Sequence, residues 1–287
     1  MMRYKTKILM VLLVSLALVA CDRPAAPPAQ TTQPLAKELA YCDWVDYQLQ
    51  PVMEAFEKEY GVKINYVPLP TQEAFVEAIR GGKCDVYAVG NELMPTLTTD
   101  GLLAEIDYRN LPNFKNIAAN FRDLVYDPKN KYSIPFRWGT IGLLVRPDLA
   151  AAPVEHWADL GGSGKAALWD MPRNAVPVAL KAAGYSINSE APAELEAALK
   201  FLLARKSAFV IWPAATASIA PALIEGQAAM AFGWSFDALT AREANPNIAY
   251  ILPEEGAILW GESLVVGASS SRKATAEAYV NFILRPE

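Results

Sequence analysis

The sequence predicts an α/β fold of two lobes, each a mostly parallel sheet flanked by helices. Three observations predict it. Short apolar or β-branched runs alternate with segments of helical spacing in the order β-α-β-α-β, and strands and helices continue through the second half of the chain. The chain has 287 residues, 53% of them hydrophobic, near the size at which a single core stops growing and a chain divides.

In chain order, residues 39–44 form a short apolar strand, and residues 50–59 carry Val52, Met53, Phe56 and then Tyr60 at helical spacing, ended by Gly61. Residues 62–67 alternate as a strand, residues 71–80 form a helix stopped by Gly81-Gly82, and residues 85–89 form the next strand. This order implies parallel strands with right-handed crossovers. Residues 132–135 and 141–145 read as two further strands, and residues 166–169 as another. Helices are predicted over 175–183, with Pro177 in the opening turn, and over 192–204. Strands at 208–212, 228–233, 248–251 and 263–266 and a helix at 274–284 complete the set. The lobes are assigned as residues 37–139 with 261–287, and residues 140–260.

The amino terminus reads as a targeting segment. Arg3, Lys5 and Lys7 precede an apolar run over 8–20, too short to span a bilayer comfortably. The run closes on Leu18-Val19-Ala20-Cys21, which resembles the cleavage box of bacterial lipoproteins. Residues 1–20 are therefore expected to be a signal peptide, Cys21 an acylated residue, and residues 21–36 a proline-rich tether. Asp22 resembles the signal that keeps such proteins on the inner membrane. The expected location is the periplasmic face of that membrane, lipid-anchored. Removing residues 1–20 takes the net charge from −5 to −8.

This balance offers no polybasic surface for nucleic acid. A single histidine argues against a His-based metal centre, and His156 lies in a segment read as a surface turn, so an enzyme is not expected and no cofactor is implied. Gly161-Gly162-Ser163-Gly164-Lys165 looks like a phosphate loop, but Asp159 stands where the first glycine of that motif is required. In an oxidising space Cys42 and Cys84 are candidates for a disulfide. Their placement late in one strand and at the start of another argues against it, since parallel neighbours in that register lie beyond the ~7 Å Cα limit.

The chemistry is sought at strand ends. Asp43-Trp44-Val45-Asp46-Tyr47, Arg137-Trp138-Gly139-Thr140, Trp234 and Trp260-Gly261-Glu262-Ser263 cluster there. Aromatic faces and carboxylates in one cleft suit an organic cation, each cation–π contact contributing about 0.5–2 kcal/mol.

Seven ordered blocks extend this reading: residues 41–47, 132–140, 157–160, 184–186, 225–227, 260–264 and 281–286. Through them the chain resembles the spermidine/putrescine-binding proteins of bacterial ABC importers, type II periplasmic solute-binding proteins. The resemblance implies a receptor, a monomer, that captures a small cationic solute and delivers it to an ABC permease. Sensing on the same fold, or binding of an anion or metal, are the alternatives. It also implies that Trp44, Asp46 and Tyr47 line the cleft from the first lobe, that Trp234 and Trp260 sandwich a polyamine chain, and that Glu262 takes a terminal ammonium. Thr216 matches a hydroxyl position. Met171 and Asn174 stand where the family places acidic contacts, Gly90 and Glu92 where it has a hydroxyl and a tyrosine, and Arg137 where it has an apolar residue; Glu92 is counted with the ligand-binding residues, as a carboxylate that replaces part of what Met171 and Asn174 lose. Arg173 survives as a cation that would repel an amine if it faced the cleft. Trp157 is expected to be replaceable without loss of the fold. Family members continue past the Leu284-Arg285-Pro286 block, so the chain reads as truncated.

Overall fold

The structure, a computed structural model, describes residues 34–45, 49–213 and 218–286. Cys21, Asp46, Tyr47 and Thr216 lie outside the described residues. Strands β1 (Glu38–Trp44), β2 (Lys63–Leu69) and β3 (Val86–Gly90) pair in parallel, β1 lying between the other two. Helices α1 (Gln50–Tyr60) and α2 (Gln72–Arg80) connect them. Helix α1 buries Met53 and Phe56 and ends at Gly61, whose φ of 67° turns the chain out of the helix while its N–H donates to Glu57 O. Helix α2 opens on Thr71, whose hydroxyl accepts from the Ala74 N–H at 3.2 Å.

The same parallel arrangement recurs at the other end of the sheet, where β5 (Ala166–Trp169) lies between β6 (Phe209–Trp212) and β7 (Met230–Trp234). Two long strands join the ends: β4 (Ser133–Val145) and β9 (Ile258–Val266) run antiparallel to one another, β9 also pairing with β3 and β4 with β7. The order is β2-β1-β3-β9-β4-β7-β5-β6, with β8 (Ala249–Ile251) paired to β4. The remaining helices are α3 (Met94–Thr99), α4 (Pro172–Ala182), α5 (Pro192–Ala204), α6 (Ala220–Ile224), α7 (Ser235–Ala244) and α8 (Lys273–Ile283). None of the helices among the described residues is long and apolar enough to cross a membrane.

Apolar burial follows the two ends of the sheet. One core draws on residues from Ile141 to Ile258, including Trp157, Trp169 and Phe232. Two further clusters, one around Phe56 and Tyr279 and the other around Phe75, Tyr87 and Met94, take their residues from the rest of the chain.

Several sequence expectations are corrected. The strands expected at 132–135 and 141–145 are one strand, β4, with a bulge between Pro135 and Arg137. The polar and aromatic residues between them stay extended because β9, itself longer than expected, supplies a partner for each from Arg137 to Thr140, with Phe136 left unpaired at the bulge. Helix α4 starts at Pro172, so Pro177 lies inside it and not in its first turn. Pro172 needs no N–H partner at that position, whereas Pro177 removes the bond that the Arg173 carbonyl would accept.

The expectation against a Cys42–Cys84 bridge is also overturned: the two cysteines are joined, with their Cα atoms 5.8 Å apart. Strand β3 begins only at Val86, and the chain before it folds back through Gly82, at φ 63°, with the Lys83 N–H bonded to Ala78 O. Cys84 therefore leaves the strand line and packs with Cys42 in the cluster of Phe75 and Tyr87. Trp157 is fully buried, and its indole N–H donates to Gly256 O at 2.9 Å, so it is not a replaceable surface residue. The glycine-rich segment 161–165 is a turn that leads into β5, with Gly161 and Gly164 at positive φ.

Candidate functional site

The site forms where β1, β3, β9 and β4 lie side by side. Glu262 is central: on β9 it faces Gly90 of β3 on one side and Arg137 of β4 on the other. The bulge just before Arg137 resets which face the following residues occupy, and so aims the guanidinium at the carboxylates. Arg137 Nε donates to Glu262 Oε2 at 2.7 Å, and Nη2 lies 2.6 Å from the same oxygen. The other edge of the guanidinium grips Asp43 at the end of β1, Nη2 to Oδ1 at 2.5 Å and Nη1 to Oδ2 at 3.2 Å. Asp43 is fully buried and also accepts from the Tyr41 hydroxyl and the Trp44 N–H.

Across the rung, the Glu92 carboxylate folds over Gly90 and leaves no room for a side chain there, while accepting from the Gln72 amide. Burial pushes the Glu262 carboxyl up to about 7; Arg137 opposes this, and Asp43 and Glu92 reinforce it by like charge. Burial likewise raises the Asp43 carboxyl against the pull of Arg137. Burial disfavours the charge on Arg137, but Glu262 and Asp43 more than offset it and hold the guanidinium protonated.

Beside these charges is an aromatic cavity of about 520 Å³, lined by Phe136, Arg137, Trp138, Phe236, Leu239 and Trp260, with Ser235 at the start of α7. Trp260 and Glu262, two residues apart on β9, project to the same side of the sheet. The Trp260 indole N–H is buried with no hydrogen-bond partner among the described residues. Trp234 ends β7 and stacks on Phe236, centroids 5.8 Å apart, with its edge on Trp169 at 5.3 Å. Asp237 holds this corner, accepting from the Trp234 N–H and from the Ser218 hydroxyl. Trp44 packs on Phe75 at 4.7 Å, away from the aromatic cavity, and is contiguous with the site through Asp43. Met171 precedes α4 beside Asn174, whose amide approaches the Met171 sulfur at 3.8 Å. Arg173 on α4 helps hold the Glu73 carboxyl of α2 below its ordinary range, after local hydrogen bonds at Glu73 and Thr71, so its charge is felt by the opposite end of the sheet.

Of the expected residues, Trp260, Glu262 and Glu92 are brought together, and Trp234 borders the cavity through Phe236. The sequence reading named Asp43 only as part of the cluster 43–47, and it passed over Phe236 and the pairing of Arg137. The signal for Arg137 was its place opposite Glu262, which is visible only when β4 is continuous.

The model of the family described as bacterial extracellular solute-binding protein matches residues 52–287. The chain belongs to this family of bacterial extracellular solute-binding proteins. Among its relatives in the family, the spermidine/putrescine-binding periplasmic protein of Escherichia coli is 32% identical over 260 residues, covering 87% of this chain and 73% of that protein. The putrescine-binding periplasmic protein SpuD of Pseudomonas aeruginosa is 29% identical, covering 88% and 74%. The solved structure of the spermidine/putrescine ABC transporter substrate-binding protein PotD from Streptococcus pneumoniae superposes with a TM-score of 0.77 at 27% identity, covering 88% of this chain and 79% of that one. These relatives are solute-binding proteins and not enzymes, and this chain shares their fold, a type II periplasmic binding protein with its sheet flanked by helices.

Proposed function

We propose that this solute-binding protein captures a polyamine of the putrescine/spermidine kind, or a related small cationic solute, and delivers it to an ABC permease. The observation that carries the reading is the juxtaposition of Trp260 and Glu262 on one face of β9, with the Glu92 carboxylate folded over Gly90, the β3 partner of Glu262, and an aromatic cavity alongside. A ring face beside a carboxylate is what an alkyl ammonium needs, apolar contact for its methylenes and a charged acceptor for its end. The names of the relatives agree with a polyamine. The anion alternative, encouraged by Arg137 and Arg173, loses the first of these cations because Arg137 is engaged by two carboxylates.

Two lobes, residues 37–139 with 261–287 and residues 140–260, close over the solute about the β4 and β9 crossings. The separate apolar clusters at the two ends of the sheet support this division. A signal peptide cut before Cys21, an acyl anchor on that cysteine and a tether to residue 36 place the receptor, a monomer, at the periplasmic face of the inner membrane.

Calorimetry of the protein with putrescine, spermidine, cadaverine and a neutral amino acid tests the reading. Heat with at least one amine and none with the neutral amino acid is expected; no heat with any amine overturns it.

A further inference from the structure

We propose that Arg137 sets the ligand selectivity of this cleft. Its guanidinium is a built-in cation that partly occupies the carboxylates of the cleft floor, so the native site favours amines of low charge, diamines over triamines. The inference rests on the cationic-solute reading above and deepens it.

Three observations carry it. First, the contacts are directed: a fork on Asp43 and two approaches to a single oxygen of Glu262, made by a side chain that the β4 bulge aims there. Second, the cluster is largely shielded from water, with the side chains of Arg137, Asp43 and Glu262 16%, 0% and 12% exposed, so its charges interact strongly. Third, both approaches to Glu262 fall on Oε2, and among the described residues no donor bonds Oε1. An arriving ammonium can thus reach Glu262 through Oε1, but it must share that carboxylate with a guanidinium already in place.

The two cations then repel across the shared carboxylate, and each further positive charge on the ligand adds to the repulsion. Removing Arg137 deletes this term, and the carboxylates it leaves are neutralised either by a proton or by a further positive charge of the ligand. A purely structural Arg137, tying β1 to β4 and β9, makes a different prediction: its loss weakens all amines alike and leaves their ranking unchanged.

The test is calorimetry of the full-length protein in detergent with putrescine and spermidine, on the wild type, on Arg137→Met and on Asp43→Asn/Arg137→Met. The double variant removes the buried Asp43 charge that Arg137→Met alone would strand; its amide oxygen can still accept from the Trp44 N–H, and its amide N–H can donate to the Tyr41 hydroxyl oxygen. The wild type is expected to bind putrescine at least as tightly as spermidine. Both variants should raise the ratio of spermidine to putrescine affinity by roughly tenfold or more. A wild type that prefers spermidine, or a ratio that stays within about twofold in a folded variant, overturns the role of Arg137 and leaves the cationic-solute reading standing. Absence of amine binding by wild type and variants overturns both. Amine binding by the variants alone overturns both the polyamine reading of the native protein and the diamine preference assigned to Arg137.

Discussion

Trp260 lies across the backbone of Gly139, its cross-strand partner on β4, so closely that a β-carbon at position 139 would come 2.6 Å from Cζ2 of the indole. Any side chain at 139 must displace the ring that lines the cavity. Gly139→Ala is expected to shift the tryptophan fluorescence of the free protein and to weaken amine binding about tenfold, read by fluorescence titration. A shifted emission with unchanged affinity would show that the Trp260 ring position is unimportant to binding.

Glu262→Gln and Trp260→Ala should each weaken amine binding by about 1.5–3 kcal/mol, roughly 10- to 100-fold, because one removes an ionic acceptor and the other the apolar wall beside it. Trp44→Ala should weaken it too, by removing the packing on Phe75 that steadies the end of β1 beside Asp43. The comparison is made by calorimetry, with Leu199→Ala as the control, since Leu199 is 54% exposed on α5. Trp157→Ala is unsuited to that purpose. Its indole is fully buried, and truncation should cost about 3–5 kcal/mol in denaturant unfolding.

The pH dependence of binding and of stability should have opposite signs. Glu262 is raised to about 7 in the folded protein by burial and by the like charges of Asp43 and Glu92, with Arg137 opposing. Its folded value lies above its ordinary value of 4.5, so its contribution to stability is complete below that ordinary value and is lost as the pH rises through about 7. That share amounts to about 3 kcal/mol at most. An ammonium instead requires the carboxylate, so amine affinity should rise from pH 6 to 8 with release of up to one proton. Titrations in buffers of different ionisation heat detect the proton, and Glu262→Gln should abolish both trends.

Reduction of Cys42–Cys84, or Cys84→Ser, should lower stability by about 2–4 kcal/mol, since the bridge closes a loop of 42 residues in sequence separation. Thermal melts with and without reductant measure it. An unchanged Tm under reductant would show that the bridge contributes nothing.

Most of the fold was legible from local pattern. Helices such as α1 and α5 were readable because spacing, a closing glycine or an opening proline act within one or two turns. Helix α7 was missed because Ser235–Ala244 has a weak apolar face and is held by Asp237 and Ser218, a partner 19 residues away. The residue types of the site were also legible, Trp260 and Glu262 above all, because aromatic and acidic side chains at strand ends are unusual in a core.

The amino-acid sequence by itself determined the α/β class, the parallel strands at both ends of the sheet and the acidic, aromatic character of the cleft, all of which follow from periodicity and composition over short spans. Tertiary structure alone decided that β4 runs unbroken past β9, that Cys84 folds back to meet Cys42, and that Arg137 falls between Asp43 and Glu262. Each of these depends on register between strands far apart in the chain. One residue of slip or one bulge sends a side chain to the other face of the sheet, and no local propensity records that choice.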